Sequence, residues 1–75
     1  MVVKRVNLIT YPEFWLDITD RIRTTVDPST AVGSHHIKLW MQEWYGINVY
    51  VMPMNQLGEV YMLDEDYTMF ALRWA

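Results

Sequence analysis

Seventy-five residues carry six basic and nine acidic side chains, a formal net charge of −3, and no cysteine. That length implies a single domain over residues 1–75 that buries roughly 60% of the surface its unfolded chain exposes, and the absence of cysteine excludes disulfides and thiolate metal sites as sources of extra stability. Bases dispersed at Lys4, Arg5, Arg21, Arg23, Lys38 and Arg73 on an acidic chain argue against a nucleic-acid binder, and apolar runs of about four residues exclude a transmembrane helix.

The N-terminal stretch has no apolar core of a signal peptide, so a soluble, intracellular protein is expected. Val2 to Ile9 is rich in β-branched residues and alternates imperfectly, which predicts a strand. Thr10, followed three residues later by Glu13, has the spacing of a capping box, and Pro12 is tolerated in a first helical turn. Phe14, Ile18 and Ile22 then recur four apart with Trp15 beside them, one apolar stripe of a helix. On its outer surface Asp17 and Arg21 stand at i,i+4, a pair worth about 0.3–0.5 kcal/mol. The helix should stop near Thr25, because Asp27-Pro28 disfavours continuation.

Asp27 to Gly33 reads as a loop, with Ser34 as the N-cap of a second helix. Ile37, Trp40, Met41, Trp44 and Tyr45 occupy i, i+3, i+4, i+7 and i+8, the strongest periodic signal in the chain. Trp40, Met41 and Trp44 are therefore expected to anchor the core. Gly46 stands where a left-handed residue ends a helix. Ile47 to Met52 predicts a second strand, ended by Pro53, and Glu59 to Leu63 a third. A connection this short would pair the two as an antiparallel hairpin.

Asp64-Glu65-Asp66 has two readings. Three acids suit the positive end of a helix, with Tyr67, Phe70, Ala71 and Trp74 on one face. As a strand, Thr68, Phe70, Leu72 and Trp74 would share a face instead. The helix reading is favoured. The resulting fold is α+β, a small β-α-α-β-β-α domain with a three-stranded sheet and helices mainly on one face, comparable to half of a ferredoxin-like domain.

Chemistry-bearing constellations are sparse. His35 and His36 are adjacent, so on a helix their side chains diverge by about 100° and do not chelate one ion together. Glu13, Asp17, Asp20 and the later acids read as solvated carboxylates, with Arg21 and Arg23 as ordinary partners. The three glycines are too dispersed for a phosphate loop, and neither serine lies in a nucleophile motif. No catalytic residue, cofactor site or metal site is expected.

Two Phe, five Tyr and four Trp remain, more ring than so short a chain can bury. Tyr and Trp concentrate at binding hot spots, and Met supplies adaptable apolar surface. Leu39 breaks the polar side of the second helix, and Met52, Met54 and Met62 surround the expected hairpin. A partner-binding surface is accordingly expected from Leu39, Tyr50, Met52, Met54, Tyr61 and Trp74, taking a protein partner or a second copy in a homo-oligomer. Base stacking on Tyr50 and Tyr61 is the rival use; it would gain if Lys4, Arg5, Arg21 and Arg23 converged. A pocket for a small aromatic or nucleotide ligand between helix and sheet is a third.

The terminal stretch GEVYMLDEDYTMFALRW, under a quarter of the chain, resembles the endings of short proteins of tailed bacteriophages. There a strand leads through an acidic turn into an aromatic, apolar segment closed by a basic residue and Trp. The resemblance implies a viral accessory protein, acting in the host cytoplasm, with no activity to carry over.

Overall fold

The computed structural model describes residues 2–74. In chain order it contains β1 (Val3–Asn7), a 3-10 turn (Leu8–Thr10), α1 (Pro12–Thr25), α2 (Ser34–Tyr45), β2 (Glu59–Leu63) and α3 (Asp64–Trp74). β1 and β2 form a two-stranded antiparallel sheet, with Val3 opposite Leu63, Arg5 opposite Tyr61 and Asn7 opposite Glu59. The α+β class stands. The order is β-α-α-β-α, because the expected middle strand does not form.

The first strand is shorter than expected because Asn7 bends the chain. Its Oδ1 accepts the Ile9 N–H at 3.1 Å, and the Thr10 hydroxyl donates to its carbonyl at 2.7 Å. Such local bonds compete with a ladder. They also occupy the Thr10 hydroxyl, so the Thr10–Glu13 capping box is absent: α1 starts at Pro12 behind Tyr11 with no side-chain cap. Phe14 and Ile18 are fully buried, with Trp15 and Ile22 packed alongside. Arg21 Nε lies 3.4 Å from Asp17 Oδ2, the expected helical pair. Thr25 ends the helix as expected, and Val26 is extended. Asp27 then makes a side-chain turn, its Oδ1 accepting the Ser29 N–H and hydroxyl, each at 2.9 Å. Those two donors hold the Asp27 carboxyl below its ordinary range.

Gly33, rather than Ser34, precedes α2. The Gly33 N–H donates to His36 Nδ1 at 3.0 Å, while the Ser34 hydroxyl, already on the helix, reaches toward the Gln56 carbonyl at 3.5 Å. Ile37 and Met41 are the fully buried anchors of α2; Trp40, Trp44 and Tyr45 are half-buried. The apolar stripe is wider than the contact it makes. Its i,i+4 row meets the core, and Trp40 and Trp44 fall on the flank. There His36, Trp40 and Trp44, four residues apart, stack face to face with centroid spacings of 5.4 and 5.3 Å. Gly46 takes the expected left-handed conformation at φ 67°.

Residues 47–52 do not form the predicted strand. Both ends of the segment satisfy their backbone locally. The Ile47 N–H returns to the Met41 carbonyl at 3.1 Å, and the Met52 N–H goes to Asn55 Oδ1 at 2.7 Å, just before Pro53. Only Tyr50 pairs, in a single antiparallel bridge to Tyr61. The hairpin expectation thus shrinks to one bridge, and β2 finds its main partner in β1, across most of the chain.

The acidic stretch opens α3, as the helix reading has it, with Asp64, Glu65 and Asp66 at its positive end. Phe70 is buried, and Tyr67 and Trp74 pack around it. The core joins Val6, Leu8, Val60 and Met62 from the strand side to Phe14, Ile18, Ile37, Met41 and Phe70 from the helices, with Val49 between.

Candidate interaction surface

The pleat sorts each strand by face. β2 turns Val60 and Met62 into the core and Glu59, Tyr61 and Leu63 outward. β1 follows the same register: Val6 is buried opposite Val60, while Val3, Arg5 and Asn7 face outward. The bridge then sets Tyr50 directly beside Tyr61, their backbones exchanging two hydrogen bonds of 2.7 Å. Two residues on, Met52 points the same way. All the fully buried helix residues lie in the cluster on the opposite side of the sheet.

Val3, Tyr50, Met52 and Tyr61 together line an open apolar depression of about 590 Å³. Val3 is 43%, Tyr50 46% and Met52 55% exposed, so these side chains contribute surface and not core. A solvated sheet face ordinarily carries polar residues. Here the polar part is confined to one end, where Arg5 Nη2 meets Glu59 Oε2 at 2.6 Å.

Of the six residues expected to bind a partner, the fold brings three together: Tyr50, Met52 and Tyr61. Met54, 91% exposed, stands in the turn that follows. Leu39 is exposed on α2 and lines no part of the depression. Trp74 belongs elsewhere. It is half-buried, its ring 5.1 Å from Phe14 and 5.9 Å from Tyr45 in edge-on contact, and its buried Nε1–H has no acceptor among the described residues. A smaller hollow of about 270 Å³ runs beside it between the ends of α2 and α3, next to Tyr45, Gly46 and Arg73. Val3 is the residue sequence reasoning missed; its signal was the odd-numbered, outward set of the first strand.

Among the described residues no His, Asp, Glu, Lys or Arg side chain lines the depression. His35 and His36 are close, centroids 4.0 Å apart, but His36 Nδ1 already accepts the Gly33 N–H and its ring lies on Trp40. No group of three His, Asp or Glu converges among the described residues. Asp17 accepts a hydrogen bond from the Tyr45 hydroxyl, tying α1 to α2. Burial first, and that bond second, push the Tyr45 phenol far above its ordinary value. The Tyr11 phenol is also raised, chiefly by its hydrogen bond with the Tyr67 hydroxyl at 2.9 Å.

Three of the four bases whose convergence would favour nucleic acid are engaged by different groups. Lys4 Nζ lies 4.9 Å from the Tyr67 ring centroid, Arg5 pairs with Glu59, and Arg21 sits between Asp17 and the Tyr45 ring. Arg23 lines a shallow groove with Glu13, Asp17 and Asp20. Among the described residues no helix is long and apolar enough to cross a membrane.

Set against protein-family models, curated proteins and solved structures, the chain matches none.

Proposed function

We propose that this chain is a small non-enzymatic interaction module that docks a protein partner, or a second copy of itself, on the outer face of its sheet. The observation that carries this reading is the depression formed by Val3, Tyr50, Met52 and Tyr61, an apolar patch where a solvated sheet face is ordinarily polar. Tyr and Met are suited to such a surface, one as a rigid anchor with a wet tip, the other as an adaptable filler. The likeness of residues 58–74 to endings of tailed-phage proteins supports a viral accessory role in the host cytoplasm.

One observation favours a second reading. Tyr50 and Tyr61 lie side by side on an open sheet, the layout on which single-stranded bases stack. The nearest outward cation, Arg5, is already paired with Glu59, and the chain is acidic, so phosphate attraction is weak.

The test is a Tyr50→Ser/Met52→Ser variant. Sedimentation at micromolar concentration and capture from host lysate should show association in the original chain and its loss in the variant, with unchanged circular dichroism. A monomer whose captured proteins are the same with and without the two substitutions would refute the reading. Binding to labelled oligonucleotides that collapses as salt rises would promote the second one.

A further inference from the structure

The free side of β1 has a defined hydrogen-bonding state. Tyr61 gives both its N–H and its carbonyl to Tyr50, at 2.7 Å each, so its backbone points away from β1. In an antiparallel ladder, opposed residues alternate between bonded and non-bonded pairs. Arg5, opposite Tyr61, is therefore in a non-bonded pair, and its own N–H and carbonyl point off the sheet. The bond from the Leu8 N–H to the Gly58 carbonyl, 2.8 Å, falls in the alternate set and agrees. By the same two-residue repeat Val3 and Asn7 face outward too. The Asn7 carbonyl is taken by the Thr10 hydroxyl, whereas Val3 and Arg5 have no backbone partner there among the described residues. β1 is an open edge, a template for an added strand.

Charge decides what can add. In a second copy joining β1 to β1 across a two-fold axis, the registers centred on Arg5 and on Lys4 set like charges directly opposite, which is unfavourable. The register centred on Val6 sets Arg5 opposite Asn7, whose carbonyl the Thr10 hydroxyl already occupies. An acidic strand meets the opposite situation. Lys4 lies over the Tyr67 ring, with no carboxylate in ion-pair contact among the described residues. Arg5 is already paired with Glu59 at 2.6 Å, so Lys4 is the cation left for an added carboxylate, and Arg5, its side chain 68% exposed, can only share its guanidinium with a second one. Successive strand residues point to opposite faces, so Lys4, opposite buried Met62, lies on the inner face and Arg5 on the outer.

We propose that β1 takes up, as an added strand, an extended segment of another protein carrying two consecutive acidic residues. One carboxylate lies beside Lys4 beneath the sheet and the other beside Arg5 above it. An apolar residue two positions from the second then sits beside Val3, at the rim of the Tyr50–Tyr61 depression. The inference rests on the interaction reading above and names the partner's chemistry.

Three end-blocked octapeptides of alternating Thr and Val, with Glu-Asp, Ser-Ser or Lys-Lys at the centre, are titrated into isotope-labelled chain. The Glu-Asp peptide should shift the amide signals of Val3 and Arg5, slow their hydrogen exchange, and bind about tenfold more tightly than the Ser-Ser peptide. Lys4→Glu should abolish that preference and transfer it to the Lys-Lys peptide, a gain that an unfolded variant does not produce. The proposal is overturned if the Glu-Asp peptide binds no better than the others. It is equally overturned if the Val3 and Arg5 amides are already protected in the free chain. Shifts confined to Tyr50 and Met52 would sink the edge while leaving the outer-face reading intact. A partner lost on Lys4→Glu but kept on Tyr50→Ser/Met52→Ser would do the reverse. Displacement of the peptide by an oligonucleotide would assign the edge to nucleic acid instead.

Discussion

Replacing Phe14 with Ala probes how the three helices are joined. Phe14 is fully buried, and its ring lies 5.0 Å from Tyr45, 5.0 Å from Phe70 and 5.1 Å from Trp74. One side chain of α1 thus touches the end of α2 and two turns of α3. Truncating a buried Phe to Ala costs about 3–5 kcal/mol, because the transfer term is lost and a cavity remains. At roughly 0.05–0.15 kcal/mol per residue, a chain this short holds on the order of 4–11 kcal/mol in all. Phe14→Ala should therefore remove from about a quarter to all of that stability, and Phe14→Leu, which refills part of the volume but loses the ring contacts, should fall between it and the original chain. Trp44→Ala is the control. The larger Trp44 ring is half-buried and lies flat on Trp40 at 5.3 Å, so its loss should cost only about 1–2 kcal/mol, from the stack and partial burial. Urea denaturation followed by far-ultraviolet circular dichroism measures both, without the ambiguity of deleting a fluorophore. If Trp44→Ala proves as damaging as Phe14→Ala, the aromatic flank of α2 carries the core and the assignment of Phe14 as its hub is wrong.

Three more outcomes are expected, two from the backbone and one from ionisation. Gly46→Ala should cost about 1–2 kcal/mol, the penalty of a left-handed non-glycine residue, since its new Cβ meets nothing within 4 Å. Gly58→Ala should cost more, because at φ 94° the added carbon also lies 3.3 Å from Ile9 Cγ1; equal melting losses in the two variants would contradict this. Tyr45 should ionise late. Its folded value is raised, so the unfolded chain loses its phenolic proton first, near the ordinary value of about 10. The contribution is therefore whole below about pH 10 and lost as pH rises toward the folded value. Tyr45→Phe should remove a late step from the tyrosinate absorbance titration and flatten the alkaline decline of stability. An unchanged alkaline limb would contradict both the burial of the Tyr45 phenol and its bond to Asp17.

Local signals were legible in the amino-acid sequence where one stretch of chain satisfies itself. The Phe14–Ile18–Ile22 stripe, the Asp17–Arg21 pair, the Gly46 stop and the acidic start of α3 each depend on neighbours within a turn or two. The 59–63 strand was likewise legible, and the structure turns its Glu59, Tyr61 and Leu63 outward. Pairing is a different kind of property. Residues 47–52 look as strand-like as residues 3–7, yet the Gly46 stop, Pro53 and the Asn55 side chain leave only Tyr50 free to join β2. Asn7 diverts the Thr10 hydroxyl from its capping box through a bond no spacing rule anticipates. The apolar depression on the outer sheet face follows the same division. Tyr50, Met52 and Tyr61 were singled out by residue type, but Val3 lies beside them only because β1 comes back from the other end of the chain. Trp74, equally aromatic, is drawn into the core by Phe14 and Tyr45. Sequence periodicity determines which side of an element is apolar; which apolar side stays uncovered is decided by the long-range packing that uses up the others.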